Sequence, residues 1–524
     1  MIKTFLFILV CTISDAAFGQ YKNIRLPYYS GDEPSIAIDP KNPKHMVAGA
    51  NFNHYWYSND SGLTWTAGLL SSPYGIWGDP IIMADTAGSF YFFHLSNPSN
   101  NGGAWAGTPG WLDRMVCQRM DQFNGSWNGG SFTGFDSTKN EDKPGVAYDA
   151  VRNRIYLTWT EFDYYGSTKS SDSSRIKFSS SSDNGNSWTK AFVISSKGGD
   201  CLDEDGTVEG AIPAVGPNGE VYVSWASKDG LVFKSSVDAG LTWPSNETLI
   251  ATMPGGWDYP ISGIQRCNGL PFTACDLSNG PHRGTIYVNW TDTRNAPNDP
   301  DVWISKSIDH GLSWSAPIRV NDDATTSAQF MSSMTVDQST GYIYVLFYDR
   351  RNAGFPTETE VYMGVSKNGG ASFQNIKVSQ QSFIPSNQIF IGDYTGIAAV
   401  NGVVRPIWTT VDAGFTYIMT ALADEALTTQ TIAYPLQDQP LYPNPFFKEL
   451  HIPYTLNQES RVTIIATDML GRELPPLLSN SLRAAGPHIE TIHPGQLGMS
   501  RGMYLFRITC GNSNLVEKGF YDGP

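Results

Sequence analysis

After its first 19 residues, the 524-residue sequence has no hydrophobic run long enough to cross a bilayer, and only 16% of its residues are charged. A membrane-spanning helix in that part is not predicted, because such a helix needs about 20 mainly apolar residues. The eight histidines and six cysteines show no zinc-site spacing. The 35 basic and 50 acidic residues leave a net charge of −15. This charge argues against a nucleic-acid partner and against general attraction to acidic glycans, so an anionic ligand would need locally placed arginines.

What is abundant is a repeated eight-residue motif, Ser-x-Asp-x-Gly-x-Thr/Ser-Trp. In this motif the Asp carboxylate accepts hydrogen bonds from its own turn and the Gly supplies an uncommon backbone angle. We therefore predict tight β-hairpin turns in which Asp60, Asp183, Asp238 and Asp309 are structural. The copies run over Ser58–Trp65, Ser181–Trp188, Ser236–Trp243, Ser307–Trp314 and, with Asn368 in place of Asp, Ser366–Phe373.

A second repeated string, a short apolar and aromatic strand, precedes the turn motif. Clear copies are Ile155–Trp159, Val221–Trp225 and Ile286–Trp290. Each follows another apolar run, so one unit holds four strands, as in a propeller blade. The looser copies are Phe90–His94, Ile343–Phe347, Val404–Trp408 and the polar His45–Gly49.

The turn motif resembles the Asp-box repeat of bacterial neuraminidases, and this resemblance implies an all-β propeller over residues 20–428. The seven strand copies predict seven blades. Six, the number in sialidases, is the alternative if the first interval is not a full blade. An internal alignment of residues 24–39 with residues 318–337 predicts that residues 23–27 close the ring beside a strand near Phe415 to Leu422, which removes an exposed sheet edge.

The two ends of the chain have a different character. Residues 1–19 have the pattern of a signal peptide, with Lys3 before an apolar stretch. Residues 429–440 are predicted to be a linker. Residues 441–524, predicted to be a small β-sandwich, resemble the C-terminal sorting domain of the Bacteroidetes type IX secretion system, with a carbohydrate-binding sandwich as the alternative. The resemblance implies passage through the periplasm, contact with the secretion machinery, and a secreted or cell-surface protein.

Four cysteines lie outside these two end segments: Cys117, Cys201, Cys267 and Cys275. An even number in an exported protein suggests disulfides. Cys267 and Cys275, eight positions apart in a Gly/Pro-rich insertion, are the predicted pair.

Polar residues, most of them acidic, precede the predicted first strand of each blade. Loops entering these strands form the ligand face of a propeller, so the pattern predicts an acidic ring at the mouth of the central channel. Crowded carboxylates suit acid/base catalysis or cation binding, although each could instead only accept hydrogen bonds from backbone N–H groups. The predicted catalytic residues are Asp79, Asp142, Glu209 and Asp393, in a series that also includes Asp32, Glu33, Asp258 and Gln329.

Arginines follow the second strands of adjacent blades. Arg294, Arg350 and Arg351 are candidates to bind an anionic sugar, since guanidinium groups suit carboxylates. Pairing with the adjacent Asp292 and Asp349, which would only brace the loops, is the alternative. Trp77 and Trp257 are candidate sugar platforms, although aromatic residues more often pack.

The sialidase resemblance implies a tyrosine nucleophile, for which Tyr394 beside Asp393 is the candidate. Arg25, in Ile24-Arg25-Leu26-Pro27, resembles the first sialidase arginine but falls on an outer strand in the internal alignment. Asp203 and Asp205 lie in an acidic run compatible with calcium, without EF-hand spacing. We therefore expect a secreted sialidase-type glycoside hydrolase that acts on an extracellular glycan or glycoprotein and requires no cofactor. The alternatives are a non-catalytic glycan- or protein-binding propeller and a polysaccharide lyase.

Overall fold

The structure is a computed structural model that describes residues 21–27, 31–98, 110–424, 441–456, 460–469, 471–484, 486–510 and 513–523. The predicted signal peptide (1–19) and linker (429–440) lie outside these residues. Contacts between residues divide the chain into two compact units, Met1–Asp424 and Glu425–Pro524. Within the described residues, no helix is long and apolar enough to cross a membrane.

The described residues of the first unit form seven four-stranded antiparallel sheets. The first strand of the unit is β1 (Asn23–Arg25). The first three sheets are β2 (Ser35–Ile38), β3 (Met46–Ala50), β4 (His54–Ser58) and β5 (Thr66–Leu69); β6 (Gly78–Ala84), β7 (Phe90–Ser96), β8 (Arg114–Met120) and β9 (Ser131–Thr133); and β10 (Asn140–Asp149), β11 (Arg154–Phe162), β12 (Ser174–Ser181) and β13 (Phe192–Val193).

Four further sheets follow in chain order. They are β14 (Glu209–Val215), β15 (Val221–Ser227), β16 (Gly230–Ser236) and β17 (Thr248–Ala251); β18 (Phe272–Cys275), β19 (Ile286–Ala296), β20 (Asp299–Ser307) and β21 (Ile318–Arg319); β22 (Gln329–Asp337), β23 (Tyr342–Asp349), β24 (Glu360–Ser366) and β25 (Gln374–Lys377); and β26 (Gly396–Val400), β27 (Val403–Asp412) and β28 (Phe415–Ala421), which β1 completes.

The first strands of the seven sheets contact one another in chain order, and β26 in turn contacts β2. The sheets therefore form a closed ring around a central channel, which is the arrangement of a β-propeller. A cavity of about 270 Å³ lies within the channel, and its wall includes residues from all seven first strands.

The second strand of each sheet packs against neighbouring sheets on both of its faces. In β11, for example, every residue from Ile155 to Phe162 is buried. This explains why these strands are continuous apolar and aromatic runs rather than alternating ones. Their tryptophans Trp159, Trp225, Trp290 and Trp408 are among the largest fully buried side chains.

The Asp-box turns join the third and fourth strands, which lie away from the channel. In the first box, the carboxylate of Asp60 accepts hydrogen bonds from the Ser58 hydroxyl (2.8 Å), the Thr64 N–H (2.9 Å) and the Thr64 hydroxyl (2.6 Å). Asp183, Asp238 and Asp309 accept the same three bonds in their own turns. Each carboxylate is therefore held by its own turn.

The ring is closed by the N-terminal segment. Strand β1 pairs antiparallel with β28, and Arg25 lies opposite Met419. The predicted pairing of residues 23–27 with the strand near Phe415 to Leu422 is confirmed. Arg25 lies on this outer strand, away from the channel.

The C-terminal unit contains β29 (Leu450–Leu456), β30 (Ser460–Asp468), β31 (Leu478–Arg483), β32 (Gly486–Ile492), a 3-10 turn (Pro494–Gln496), β33 (Gly502–Cys510) and β34 (Ser513–Tyr521). Strands β29 and β32 form one sheet, and the other four form a second in the order β31-β30-β33-β34. Both sheets contribute to a single buried cluster, for example through Ile452, Ile464 and Phe506. This unit thus has its own hydrophobic core.

The predicted disulfide between Cys267 and Cys275 is wrong: both cysteines are free and buried. Cys275 is the last residue of β18, whereas Cys267 precedes this strand by five positions. Cys275 lies opposite Ile286 of β19, whereas the Cys267 carbonyl accepts the Tyr259 N–H outside the strand. The two thiols accordingly lie in different buried clusters.

Candidate functional site

A backbone irregularity positions the side chains at the mouth of the channel. Glu33, Asp79, Lys143 and Met331 have φ values of 48° to 54°, and Gly210 has a φ of 71°. Four of these five residues sit at a register shift where the first strand begins. Left-handed backbone is costly for residues other than glycine and concentrates at functional sites. Its repetition here indicates a specialised surface.

Asp393 is the centre of this surface. Its carboxylate lies 2.8 Å from the Lys143 ammonium and accepts two hydrogen bonds from the Arg266 guanidinium, one of them at 2.7 Å from Nε. The side-chain amide of Asn268 donates to the Asp393 carbonyl at 2.9 Å. Arg266 and Asn268 belong to the segment between β17 and β18, which therefore lies across the mouth.

Asn51 connects three further acidic residues. Its amide nitrogen donates to Asp32 (2.9 Å) and Glu33 (2.5 Å), and its amide oxygen accepts the Asp79 N–H (2.9 Å). Glu33 in turn accepts the Asp393 N–H at 3.1 Å. One hydrogen-bonded network therefore joins the acidic residues that precede β2 and β26 to Asp79 at the start of β6.

On the opposite side of the mouth lie Asp203 and Glu209. Asp203 accepts a hydrogen bond from the Tyr165 hydroxyl and lies 3.5 Å from Arg266. Glu209 is fully buried, and among the described residues neither of its carboxylate oxygens has a hydrogen-bond donor. A buried carboxyl group without donors is stable only when protonated, in which state it can donate to a neighbouring carboxylate.

The carboxyl groups at the mouth differ in protonation, because burial and nearby cations shift their pKa values in opposite directions. Burial raises the pKa of Asp79 to about 7, although the Lys143 charge opposes the shift. Burial also raises the pKa of Glu33 and Glu209 well above the usual range and that of Asp32 to about 6. For Asp393, burial alone would raise the pKa, but Lys143 and Arg266 outweigh it and hold the pKa below its ordinary value. The structure thus holds a proton donor and an ionised carboxylate in the same cluster.

Tyr394 lines the cavity beside Asp393, together with Lys143 and Asn268. Its hydroxyl is buried and has no hydrogen-bond partner among the described residues. Burial, followed by the charges of Glu33 and Asp79, raises its pKa well above 10. The hydroxyl is therefore protonated in this arrangement and becomes a nucleophile only if a neighbouring carboxylate accepts its proton.

The structure brings Asp79, Asp142, Asp393 and Tyr394 together around Lys143. Asp142 lies 3.8 Å and Asp79 3.9 Å from the Lys143 ammonium. The charges of Asp203, Lys143 and Asp142 act on Glu209, which places it in the same cluster. Asp258 and Gln329 contact other groups: the Asp258 N–H donates to Asp205 (2.9 Å), and Gln329 donates to Asp349 (3.3 Å).

The three predicted substrate arginines lie outside the mouth. The Arg294 guanidinium donates to both carboxylate oxygens of Asp292, from Nε at 2.8 Å and from Nη2 at 2.5 Å. Arg351 pairs with Asp349 at 2.8 Å. Arg350 is buried against the Phe330 ring and has no carboxylate partner among the described residues. Arg294 and Arg351 therefore pair with their adjacent aspartates and brace the loops, which was the alternative to substrate binding.

Neither predicted tryptophan platform lies at the mouth network. Trp257 is only 5% exposed and packs in the core. Trp77 packs edge-on against Trp111, with ring centroids 5.4 Å apart, and lines a separate surface pocket with Phe52.

Among the described residues, no group of His, Cys, Asp and Glu side chains is arranged to hold a metal ion. The predicted calcium ligands have protein partners: Asp203 accepts from Tyr165, and Asp205 accepts the Asp258 N–H. The structure therefore provides no support for the calcium prediction.

Arg266 and Asn51 are not among the site residues predicted from the sequence, and Lys143 has no predicted role. Arg266 lies in the twenty-residue connection between β17 and β18, and long connections inside compact domains often carry function. The length of this connection is the sequence feature that could have indicated a functional role for Arg266. Asn51 lies in a short turn without any comparable signal.

No model of a protein family and no curated protein matches this sequence. Solved structures match at low identity. An ulvan lyase, a polysaccharide lyase bound to a glucuronate–rhamnose sulfate unit, is 13% identical over 78% of this chain and 99% of its own, with a TM-score of 0.45. A Trypanosoma rangeli sialidase in complex with sialic acid is 12% identical over 95% and 88%, with a TM-score of 0.42. A Hadza microbial sialidase is 12% identical over 72% and 73%, with a TM-score of 0.39. Similarity of this degree does not establish a shared reaction or shared site residues.

Proposed function

We propose that this chain is a glycan-active, seven-bladed β-propeller that hydrolyses glycosidic bonds at the channel mouth by a sialidase-type mechanism. Glycoside hydrolysis requires a protonated carboxyl group that donates to the leaving oxygen and a second group that attacks or stabilises the sugar. The mouth network contains candidates for both roles.

The relationship between Asp79 and Asp393 is the observation that carries the proposal. One oxygen of each carboxyl group lies within 4 Å of the Lys143 ammonium. The two oxygens are therefore at most about 7 Å apart, compatible with the carboxyl separations of glycosidases. The pKa of Asp79 is raised to about 7, whereas that of Asp393 is lowered. Carboxyl groups with such opposed environments mark an acid and an ionised partner.

In this assignment Asp79 is the general acid and Tyr394 is the nucleophile. Glu33 is the neighbouring carboxyl group that acts on the Tyr394 hydroxyl, but burial holds it protonated, so it accepts the hydroxyl proton only after it has released its own. Lys143 and Arg266 hold Asp393 ionised, and they are also the groups able to bind a sugar carboxylate. Because both already contact Asp393, an anionic substrate has to compete with that pairing.

The size of the cavity suggests action at a chain end. At about 270 Å³ it is slightly smaller than the ~300–1,000 Å³ of typical ligand pockets. That volume suits about one sugar unit, so we propose an exo-acting enzyme.

A non-catalytic binding propeller is the second candidate, and the closed state of the mouth favours it. Glu209 is fully buried, and the hydroxyl of Tyr394 has no accessible surface. A substrate reaches these groups only if the segment carrying Arg266 moves. Without that movement, the mouth would bind ligands only through its exposed rim.

The test is an assay of the full chain against chromogenic sialosides, neutral glycosides and uronic-acid polysaccharides. Release of the chromogen that is abolished in Asp79→Asn supports hydrolysis at the mouth. An unsaturated product from a uronic-acid polymer would indicate a lyase instead. Binding without turnover of any substrate would favour the binding propeller.

We also propose that the protein is exported, with residues 441–524 as a type IX sorting domain. The support is the sequence resemblance together with a C-terminal unit that has its own buried core.

A further inference from the structure

A second groove lies on one face of the sheet that closes the ring. Its volume is about 410 Å³, and its walls include Arg25, Thr410 and Tyr417 with the loop after β25. It shares no lining residue with the channel cavity. The groove is therefore a separate feature, built around the arginine that the resemblance singled out and that the mouth does not use.

The strand register explains how this face forms. Arg25 on β1 lies opposite Met419 on β28, and Met419 lies opposite Trp408 on β27. Two residues along, Tyr417 lies opposite Thr410. Because side chains two apart share a face, Arg25, Tyr417 and Thr410 all project into the same groove. Trp408 and Met419 provide an apolar floor.

The guanidinium of Arg25 is held in position but is poorly paired. Its carbon lies 3.1 Å from the centre of the Tyr417 ring, which fixes the plane of the group. Its ionic partner among the described residues is Asp412, at 3.8 Å, and the two side chains are 49% and 71% exposed. At this distance the pair is not a hydrogen bond, so the N–H donors of Arg25 remain available.

Further donors surround Arg25. The oxygen of the Gln380 side chain accepts the Asn23 N–H at 3.2 Å, and its amide nitrogen has no partner among the described residues. Gln381 and Thr410 also line the groove. A pre-oriented guanidinium with amide and hydroxyl donors, above an apolar floor, matches an oxyanion attached to a sugar ring.

Arg319 provides an internal comparison. It occupies the equivalent outer-strand position in another sheet, on β21. It pairs with Asp301 at 3.4 Å and donates to the Asp323 carbonyl at 2.6 Å. The equivalent arginine is thus occupied by protein partners, whereas Arg25 is open.

We propose that this groove is a second binding site, for a sugar unit that carries a carboxylate or sulfate group, with Arg25 as its anion-binding residue. It is independent of the chemistry at the channel mouth. The site would hold an acidic polysaccharide on the outer rim of the ring.

Calorimetric titration of the full chain with oligogalacturonate, sulfated dextran oligomers and neutral dextran tests the proposal. Binding of at least one anionic probe is expected, with affinity that falls as salt is raised. Arg25→Ala should weaken it about 10-fold or more, since a charge-assisted hydrogen bond is lost. Arg319→Ala, which removes the same charge from the equivalent strand, should leave the affinity unchanged. The two anionic probes distinguish a carboxylate site from a sulfate site.

Three results would overturn the proposal: no binding of either anionic probe, equal binding of neutral dextran, or undiminished affinity in Arg25→Ala. Anionic binding that is lost in Arg266→Ala but kept in Arg25→Ala would place the ligand at the mouth and would also reject the groove. Thermal unfolding of each variant separates loss of binding from loss of fold.

Discussion

Lys143 and Asp393 form a buried ion pair, with 2.8 Å between Nζ and Oδ2, and their side chains are only 10% and 3% exposed. Lys143 lies in the irregular start of β10, and Asp393 lies in the loop before β26, so the two residues come from different sheets. The Arg266 guanidinium bonds to the same carboxylate from a third segment. One carboxylate therefore joins three distant parts of the ring.

Removing this carboxylate should strongly destabilise the first unit. Asp393→Asn leaves the buried Lys143 ammonium without its nearest carboxylate and the partly exposed Arg266 guanidinium without its two-bond partner, and breaking a buried pair costs roughly 3–5 kcal/mol of unfolding free energy. Urea unfolding monitored by tryptophan fluorescence measures the loss. Asp229→Asn is the matched control, because it breaks an exposed pair with Lys197 by the same chemical change. Its unfolding curve should overlay that of the wild type. Equal midpoints for both variants would show that the pair does not stabilise the fold.

The stability of the first unit should fall as the pH rises from about 4 to 7. The pKa of Asp79 is raised from its usual 3.8 to about 7, and that of Asp32 to about 6. Between these values the folded state retains protons that the unfolded state releases, so the free energy of unfolding decreases with pH. Unfolding midpoints measured at pH 4 to 8 test this. In Asp79→Asn the unfolding free energy should decrease less over this pH range. The same pH dependence in the variant and the wild type would mean that Asp79 is not its cause.

If Asp79 is the general acid, turnover should fall as the pH rises through about 7, where Asp79 loses its proton. Asp79→Asn should reduce turnover by about 10²–10⁴-fold and remove this limb of the pH profile. Asp60→Asn is the control, since Asp60 lies in an Asp-box turn and accepts bonds only within that turn. Normal turnover by folded Asp79→Asn would reject the assignment.

The Asp-box carboxylates should affect stability and not activity. Asp183→Ala removes three acceptor bonds within its turn and should lower the free energy of unfolding by about 1–2 kcal/mol. Asp183→Asn should cost less, because the fifth box uses Asn368 at this position and retains bonds to Ser366 and Ser372. Chemical denaturation and a glycoside assay on the same samples separate the two effects. A folded Asp183→Ala protein that lost ligand affinity would contradict this peripheral role.

Deleting residues 441–524 should block export and leave the first unit folded, because that unit has its own core and closes its own ring. The truncated chain is expected to accumulate in the periplasm of a host with type IX secretion, as detected by fractionation and immunoblotting. Normal amounts in the medium would refute the sorting-domain assignment.

The repeat and the ring closure were predictable because their determinants are local. An eight-residue box specifies its own turn through Asp60, Gly62 and their equivalents, whatever surrounds it. The alternation of apolar runs and turns then defines four strands per unit. The pairing of β1 with β28 followed from matching Arg25 to Arg319 across repeats.

The mouth was predictable only in outline. The acidic residues could be assigned to the starts of the first strands, since that position repeats. Their partners could not, because the network joins residues far apart in the chain: the Asp393 N–H donates to Glu33, 360 positions away. Arg266 and Asn51 contribute from segments that have no repeat.

The sequence alone thus determined the repeated hairpins, the all-β character and the closing strand, since each depends on contacts within a unit or between matched units. Only the tertiary structure decided that Lys143 and Arg266 hold Asp393, that Arg294 and Arg351 pair with their neighbouring aspartates, and that Cys267 and Cys275 are separated. The physical reason is that charge pairing and burial are set by which segments the closed ring brings together, and a long insertion such as the one carrying Arg266 has no register with the repeat.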